Sequence, residues 1–255
     1  MIEHKKDSYT FASVAYANAA PMTTSMQTVC PDSQVIYDAP SRLAERLLQG
    51  TVDAALIPVV DLFANPSLEM IDHIGICADG NVTSVLLKCY RPLKDIRTIA
   101  KDPCSHTSNA LAAILMKHHF NVAPEFGSFS ESQSPNAKIV IGDKALCSSP
   151  APHGDYDLAG EWKTMTGLPF VFAVWACRND CPYSPELARI LQVSLEKGRE
   201  MIDQLADAQA QRLGIPLEQC KEYLTNIIQY HLGQLEIDGM NMFKQMLATD
   251  HGDQS

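Results

Sequence analysis

Short apolar runs of strand length alternate with helically spaced apolar positions along most of the chain. Phe11–Ala15 is a strand-like segment followed by Tyr16, Ala17, Asn18, Ala19, Ala20, Pro21 and Met22. That order predicts a strand running into a helix start, with Asn18 placed to cap and Pro21 tolerated in the first turn. Ser41 then precedes Leu43, Leu47 and Leu48 at helical spacing, Gly50 supplies a stop, and Val52–Pro58 reads as a compact strand. The resulting β-α-β order favours parallel strands, because a parallel pair needs a crossover connection.

Ile71–Cys77 and Val82–Cys89 predict two further strands around the turn Ala78, Asp79, Gly80 and Asn81. Lys88, Arg91, Lys94, Arg97 and Lys101 then make the composition more basic, and the chain is expected to cross into a second lobe there. Thr98–Ala100 is a short strand. Ser105, His106, Thr107 and Ser108 introduce an apolar helix over Ala110–Met116, and Ala137–Gly142 is a strand with Asp143 placed to cap the following turn. The longest apolar run, Leu168–Cys177, reads as a buried strand returning to the first lobe. From Pro185 the pattern is helical, through Leu187, Ile190, Leu191 and Leu195, then Leu217–Tyr230, then Met240–Leu247. The pattern predicts an α/β protein of two lobes with a ligand cleft between them. Residues 1–92 and 176–255 are expected to form the first lobe, with the C-terminal helices, and 93–175 the second.

With 255 residues, 46% hydrophobic and 20% charged, the chain can bury a substantial core, and disorder is not expected. A formal net charge of -10 disfavours non-specific nucleic-acid binding, which needs an excess of Lys and Arg at phosphate contacts. An acidic protein of this kind binds an anion only through local donors. Met1–Tyr9 is charged and polar, without the apolar core of a secretory signal, and no apolar stretch approaches the roughly 20 residues of a membrane span. A cytoplasmic protein without membrane contact is therefore expected. The eight cysteines are scattered, several inside apolar runs, and read as free thiols.

Several standard catalytic signatures are missing: there is no G-x-S-x-G elbow, no phosphate-binding P-loop and no H-E-x-x-H helix. Cys177 and Cys181 lack the second pair or nearby His of a tetrahedral metal site, and the adjacent His118 and His119 point in different directions on a helix. No metal and no cofactor are expected. Ser105, Thr107 and Ser108 place three hydroxyls within four positions at a helix N-terminus, where unpaired N–H groups and the helix dipole can cradle a carboxylate or phosphate. An ordinary cap needs only one of them. Asn18 stands at a strand-to-helix junction, a usual place for ligands in α/β proteins, although capping alone also accounts for it. Ser84 is a polar residue in an otherwise apolar strand, readable as a satisfied core hydroxyl or as a ligand contact, and Asp143 either caps or meets the ligand.

Taken together these stretches resemble the MqnA family, the chorismate dehydratases of the futalosine route to menaquinone, within the type 2 periplasmic-binding-protein-like folds. The matching stretches are Tyr16-Ala17-Asn18 with Pro21, Gly50–Pro58, Gly80–Leu87, Ser105–Ser108, Ile141–Leu146 and Thr166–Trp175. They run in family order from residue 11 towards the C-terminus, where Tyr223-Leu224 and Leu235–Phe243 also match. Ala17 stands where the family usually has Leu, and Ala159 where it usually has Gly, the latter expected to affect only a turn.

The resemblance implies a hydro-lyase converting chorismate to 3-[(1-carboxyvinyl)oxy]benzoate and water. It implies Asn18 and Ser84 as catalytic residues that orient the ring and assist the leaving hydroxyl. Gly80, Ser105, Thr107, Ser108 and Asp143 are implied as substrate-binding. Such chemistry suits a site poor in acids and bases, since aromatisation drives it and the substrate's own enolpyruvyl carboxylate is available to take the ring proton. Two other readings remain open: 1,4-dihydroxy-6-naphthoate synthase of the same pathway, and a non-catalytic binding protein for a small carboxylated solute. The amphipathic C-terminal helices can pack on the lobe or on a second copy, so a homodimer is compatible with the sequence.

Overall fold

A computed structural model describes residues 6, 8–129 and 133–252 of the chain. The chain divides into two compact units, Met1–Ile76 with Phe172–Leu232, and Cys77–Val171 with Gly233–Ser255.

In chain order, β1 (Thr10–Ser13) leads through a 3-10 turn at Ala17–Ala19 into α1 (Ala20–Thr23) and α2 (Met26–Val29). β2 (Gln34–Tyr37), α3 (Pro40–Leu48), β3 (Ala54–Pro58), α4 (Val59–Ala64) and β4 (Leu68–Ala78) follow. The next segment holds β5 (Val85–Cys89), β6 (Thr98–Ala100), α5 (His106–His118), β7 (Glu125–Gly127), β8 (Ala137–Ile141), α6 (Gly142–Leu146), β9 (Asp155–Asp157) and α7 (Leu158–Thr166). β10 (Phe170–Arg178), α8 (Ser184–Glu200), α9 (Ile202–Leu213), α10 (Leu217–Glu222), β11 (Gln229–His231) and α11 (Gln234–Gly252) complete the chain.

The first unit is built on a six-stranded sheet of order β11-β4-β10-β3-β1-β2. β1 runs parallel to both β2 and β3, with Phe11 opposite Val35 and Ala54, as the β-α-β pattern predicts. Asp53, just before β3, fixes the entry of β1 by accepting the Thr10 N–H at 2.8 Å and the Lys6 ammonium at 2.7 Å. Phe11 meets Trp175 of β10 edge-on at 6.1 Å, the geometry the ring quadrupoles favour. After β10 the expected helical pattern resolves differently towards its end: Leu217–Tyr230 becomes α10, a π-helical turn at Tyr223–Ile227, and the start of β11. Ile228 and Tyr230 are buried two apart, which is strand periodicity inside a run that reads helically.

The second unit holds a five-stranded sheet of order β7-β6-β8-β5-β9. β6 is parallel to β7 and β8, whereas β5 is antiparallel to both β8 and β9. The sequence expects the first crossing near residue 92; in this division it precedes β5, because β5 takes both its neighbours from the second sheet. The C-terminal helices divide as well. α11 belongs to the second unit, where Phe243 stands 5.8 Å from Trp162 and 4.9 Å from Phe170. Gly239 makes that seat, since a Cβ there would run into the Pro169 carbonyl.

Candidate functional site

The register of the second sheet gathers its loops at one edge. Val85 at the start of β5 lies opposite Ile141 at the end of β8, and Leu86 lies opposite Asp157 at the end of β9. The carboxyl end of β6 points the same way, being parallel to β8. The N-termini of α5, α6 and α7 therefore all follow strands ending at this edge, where open α/β sheets place their ligands. Ser84, Gly142, Asp143 and the Ser105–Ser108 turn lie along it.

Ser105 is the cap of α5: its Oγ accepts the Ser108 N–H at 3.2 Å. The preceding loop is fixed by Asn109, whose amide group donates to the Asp102 carbonyl at 2.8 Å and accepts the Asp102 N–H at 3.0 Å. With the cap supplied by Ser105, the other two hydroxyls are not needed for it. Thr107 is 2% exposed, and its Oγ1 is buried without a hydrogen-bond partner in the protein. A buried hydroxyl in that state costs stability unless something else meets it. Ser108, also 2% exposed, lies beside it in the first turn.

Ser84 is not inside a strand as expected, because Thr83 adopts φ 62° and breaks the extended chain before Val85. The left-handed conformation is rare for a β-branched residue. Ser84 is 1% exposed, and its carbonyl accepts the Gly142 N–H at 2.7 Å. Gly142 itself has φ 59°, so the Ile141-Gly142-Asp143 stretch needs glycine for the chain to turn into α6. Asp143 does not cap that helix, as the sequence expects. The cap position falls on Ile141, which leaves Asp143 inside the first turn with its carboxylate near the positive helix end. Gly80 has φ 111° with open space around its Cα, so its need for glycine is conformational.

One residue at this edge escaped the sequence reading. Asp157 caps α7, its Oδ1 accepting the Ala159 and Gly160 N–H groups at 3.1 Å each, while its Oδ2 accepts the Thr83 N–H at 2.6 Å. Burial pushes its carboxyl above the usual carboxylate range, with the backbone donors, Val82 included, opposing that shift. Glu161 falls four positions after Asp157, one beyond the capping-box spacing, so no capping pattern marks Asp157 in the sequence. Ala159 lies in the first turn of α7 and is 1% exposed, so that departure falls inside a helix, not a loop turn.

In the first unit, Asn18 sits in the 3-10 turn after β1 and makes no capping hydrogen bond; the neighbouring caps fall on Tyr16 and Ala19. Its Oδ1 is buried without a partner, and so is the Oγ of Ser13 at the carboxyl end of β1. Ser13 carries the same sequence signal as Ser84, a polar residue within an otherwise apolar run, and was not singled out. His118 Nε2 meets Asp250 at 3.0 Å whereas His119 Nε2 meets Glu161 at 3.0 Å, so the two rings diverge. None of the eight cysteines is in a disulfide, and burial pushes the Cys177 thiol up to about 12. No group of three or more His, Cys, Asp or Glu able to hold a metal is found among the described residues.

Solved structures share this architecture. Protein AF1704 from Archaeoglobus fulgidus superposes with a TM-score of 0.77 over 97% of this chain and 99% of that one, at 14% identity. The periplasmic aliphatic sulphonate binding protein SsuA from Escherichia coli gives 0.66 over 98% and 94%, at 12% identity. The protein is thus an α/β protein with the periplasmic-binding-protein type of fold. The profile of the family described as menaquinone biosynthesis matches residues 9–249, and the chain belongs to that family. A chorismate dehydratase from Thermus thermophilus is 29% identical over 91% of this chain and 93% of its own length. A second, from Campylobacter jejuni, is 37% identical over 54% of this chain and 51% of its own.

Proposed function

We propose that the protein is a chorismate dehydratase of menaquinone biosynthesis, acting in the futalosine pathway in the cytoplasm as a member of the MqnA group. The observation that carries this reading is the similarity to the Thermus thermophilus chorismate dehydratase along nearly the whole of both chains. The site chemistry supports it. Loss of water from chorismate takes the hydrogen from the ring carbon bearing the enolpyruvyl ether and the hydroxyl from its neighbour. The C–H electrons become the new ring double bond, and the proton leaves with the hydroxyl as water. Aromatisation makes this downhill, so the protein's part is positioning and charge stabilisation.

In this reading the Thr107 and Ser108 hydroxyls at the N-terminus of α5 hold a substrate carboxylate, with Ser105 keeping that turn in shape. Ser84 assists the departing hydroxyl, Asn18 orients the ring through an amide whose oxygen the protein leaves unpaired, and Gly80 and Asp143 border the substrate. Chorismate and the cyclic futalosine derivative used by the naphthoate synthase of the same route are offered separately to the purified protein. Conversion of chorismate alone is expected. Turnover of the other substrate alone, or chorismate binding without conversion, overturns the assignment.

A further inference from the structure

The Gly80–Ser84 segment is held from one side by α7. Asp157 at its cap and Gly160 and Lys163 within it, spaced by three, meet Thr83 and Asn81 of the segment and Asp79 just before it. Asp157 accepts the Thr83 N–H at 2.6 Å, Gly160 lies where any Cβ would strike the Asn81 side chain, and the Lys163 ammonium meets the Asp79 carboxylate at 2.5 Å. Thr83 needs such a hold. A β-branched residue at φ 62° leaves its left-handed conformation readily unless a partner fixes the peptide. The peptide in question is Val82–Thr83, one residue before Ser84, whose carbonyl in turn accepts the Gly142 N–H at the start of α6.

We propose that Asp157 is a positioning residue for the dehydration, keeping Thr83 left-handed so that Ser84 faces the substrate; this rests on the function proposed above. The two carboxylate oxygens divide the work. Oδ1 caps α7 and stabilises the fold, whereas Oδ2 accepts the Thr83 N–H, and the Val82 N–H also donates to this carboxylate. Asp157→Asn separates them, because asparagine caps helices as well as aspartate does but its amide nitrogen presents hydrogens to the Thr83 N–H.

Asp157→Asn is therefore expected to keep the melting temperature while kcat falls about 10- to 100-fold with KM little changed, the loss that a misplaced group of order 1 Å produces. In a Ser84→Ala background the same substitution is expected to add no further loss, since there is no hydroxyl left to position. Adding Thr83→Gly to Asp157→Asn is expected to restore part of the rate, since glycine adopts that φ without the steric cost threonine carries. An equal fold-loss in both backgrounds, or no loss at all, overturns the proposal. Amide hydrogen exchange gives a readout independent of the substrate: residues 82–84 should exchange faster in Asp157→Asn than in the parent, with α7 unchanged. If the parent fails to convert chorismate, the functional assignment falls and this exchange measurement alone decides the positioning role, unchanged rates overturning it.

Discussion

Thr107→Val separates a structural from a functional reading of the α5 turn because the two predict opposite signs. The substitution replaces a hydroxyl by a methyl of nearly the same size at a position that is 2% exposed. Its Oγ1 has no partner in the protein, so no internal hydrogen bond is lost. An unpaired buried hydroxyl costs about 1–3 kcal/mol in mutational measurements, so the variant should be as stable as the parent or more so. For a chain of this size about 1 kcal/mol moves the melting temperature by roughly 2–4 °C. Against a bound carboxylate the same hydroxyl makes a charge-assisted hydrogen bond of about 1.5–3 kcal/mol, equivalent to roughly 10- to 150-fold in kcat/KM. Thermal unfolding and steady-state turnover of chorismate measure the two quantities on one preparation. A lower melting temperature with unchanged kcat/KM would refute the reasoning.

Other consequences are independent of the substrate. Lys88 is buried with its ammonium 2.7 Å from Asp155 and also donating to Ser148 and the Ser149 carbonyl. Asp155→Ala strands that charge and should cost about 3–5 kcal/mol in denaturant unfolding, whereas a cost below about 1 kcal/mol would show the pair to be inert. Burial acts to raise the Asp250 carboxyl, but hydrogen bonds from Lys117 and His118 and their charges outweigh it and hold it below its ordinary value of 3.8. The pair therefore stabilises the fold fully above that value, and the contribution fades as pH falls through the lower folded value. Asp250→Asn should flatten the acid limb of a stability-against-pH curve, and an unaltered limb counts against the pairing. Burial pushes the Cys89 thiol up to about 11 and the Cys177 thiol up to about 12, while Cys147 is exposed. Alkylation of the native protein should label Cys147 well before either, and early labelling of Cys177 contradicts the buried strand.

The sequence made the parallel β1–β3 pair and the long buried β10 legible because each is a dense apolar run bounded by turn residues. β2, β7, β9 and β11 escaped notice. They are three or four residues long, and their side chains are half-exposed in several positions, so they carry little apolar periodicity. At the site the residue types were legible and the geometry was not. Three hydroxyls at a helix start could be seen, but that Ser105 alone does the capping and Thr107 is left over depends on the turn's three-dimensional shape. Asp157 was invisible because its second partner, Thr83, is 74 residues away in the chain. A strand break caused by one left-handed threonine leaves no compositional trace, so Ser84 read as part of β5.

The central claim is that this sparse set of hydroxyls and amides belongs to an enzyme. Its most direct test is the time course of purified protein with chorismate, followed by ultraviolet absorbance and closed by mass spectrometry. The account predicts stoichiometric conversion to 3-[(1-carboxyvinyl)oxy]benzoate with loss of one water, slowed strongly in Ser84→Ala and Asn18→Ala at nearly unchanged melting temperature. Folded protein that binds chorismate yet returns it intact would contradict it.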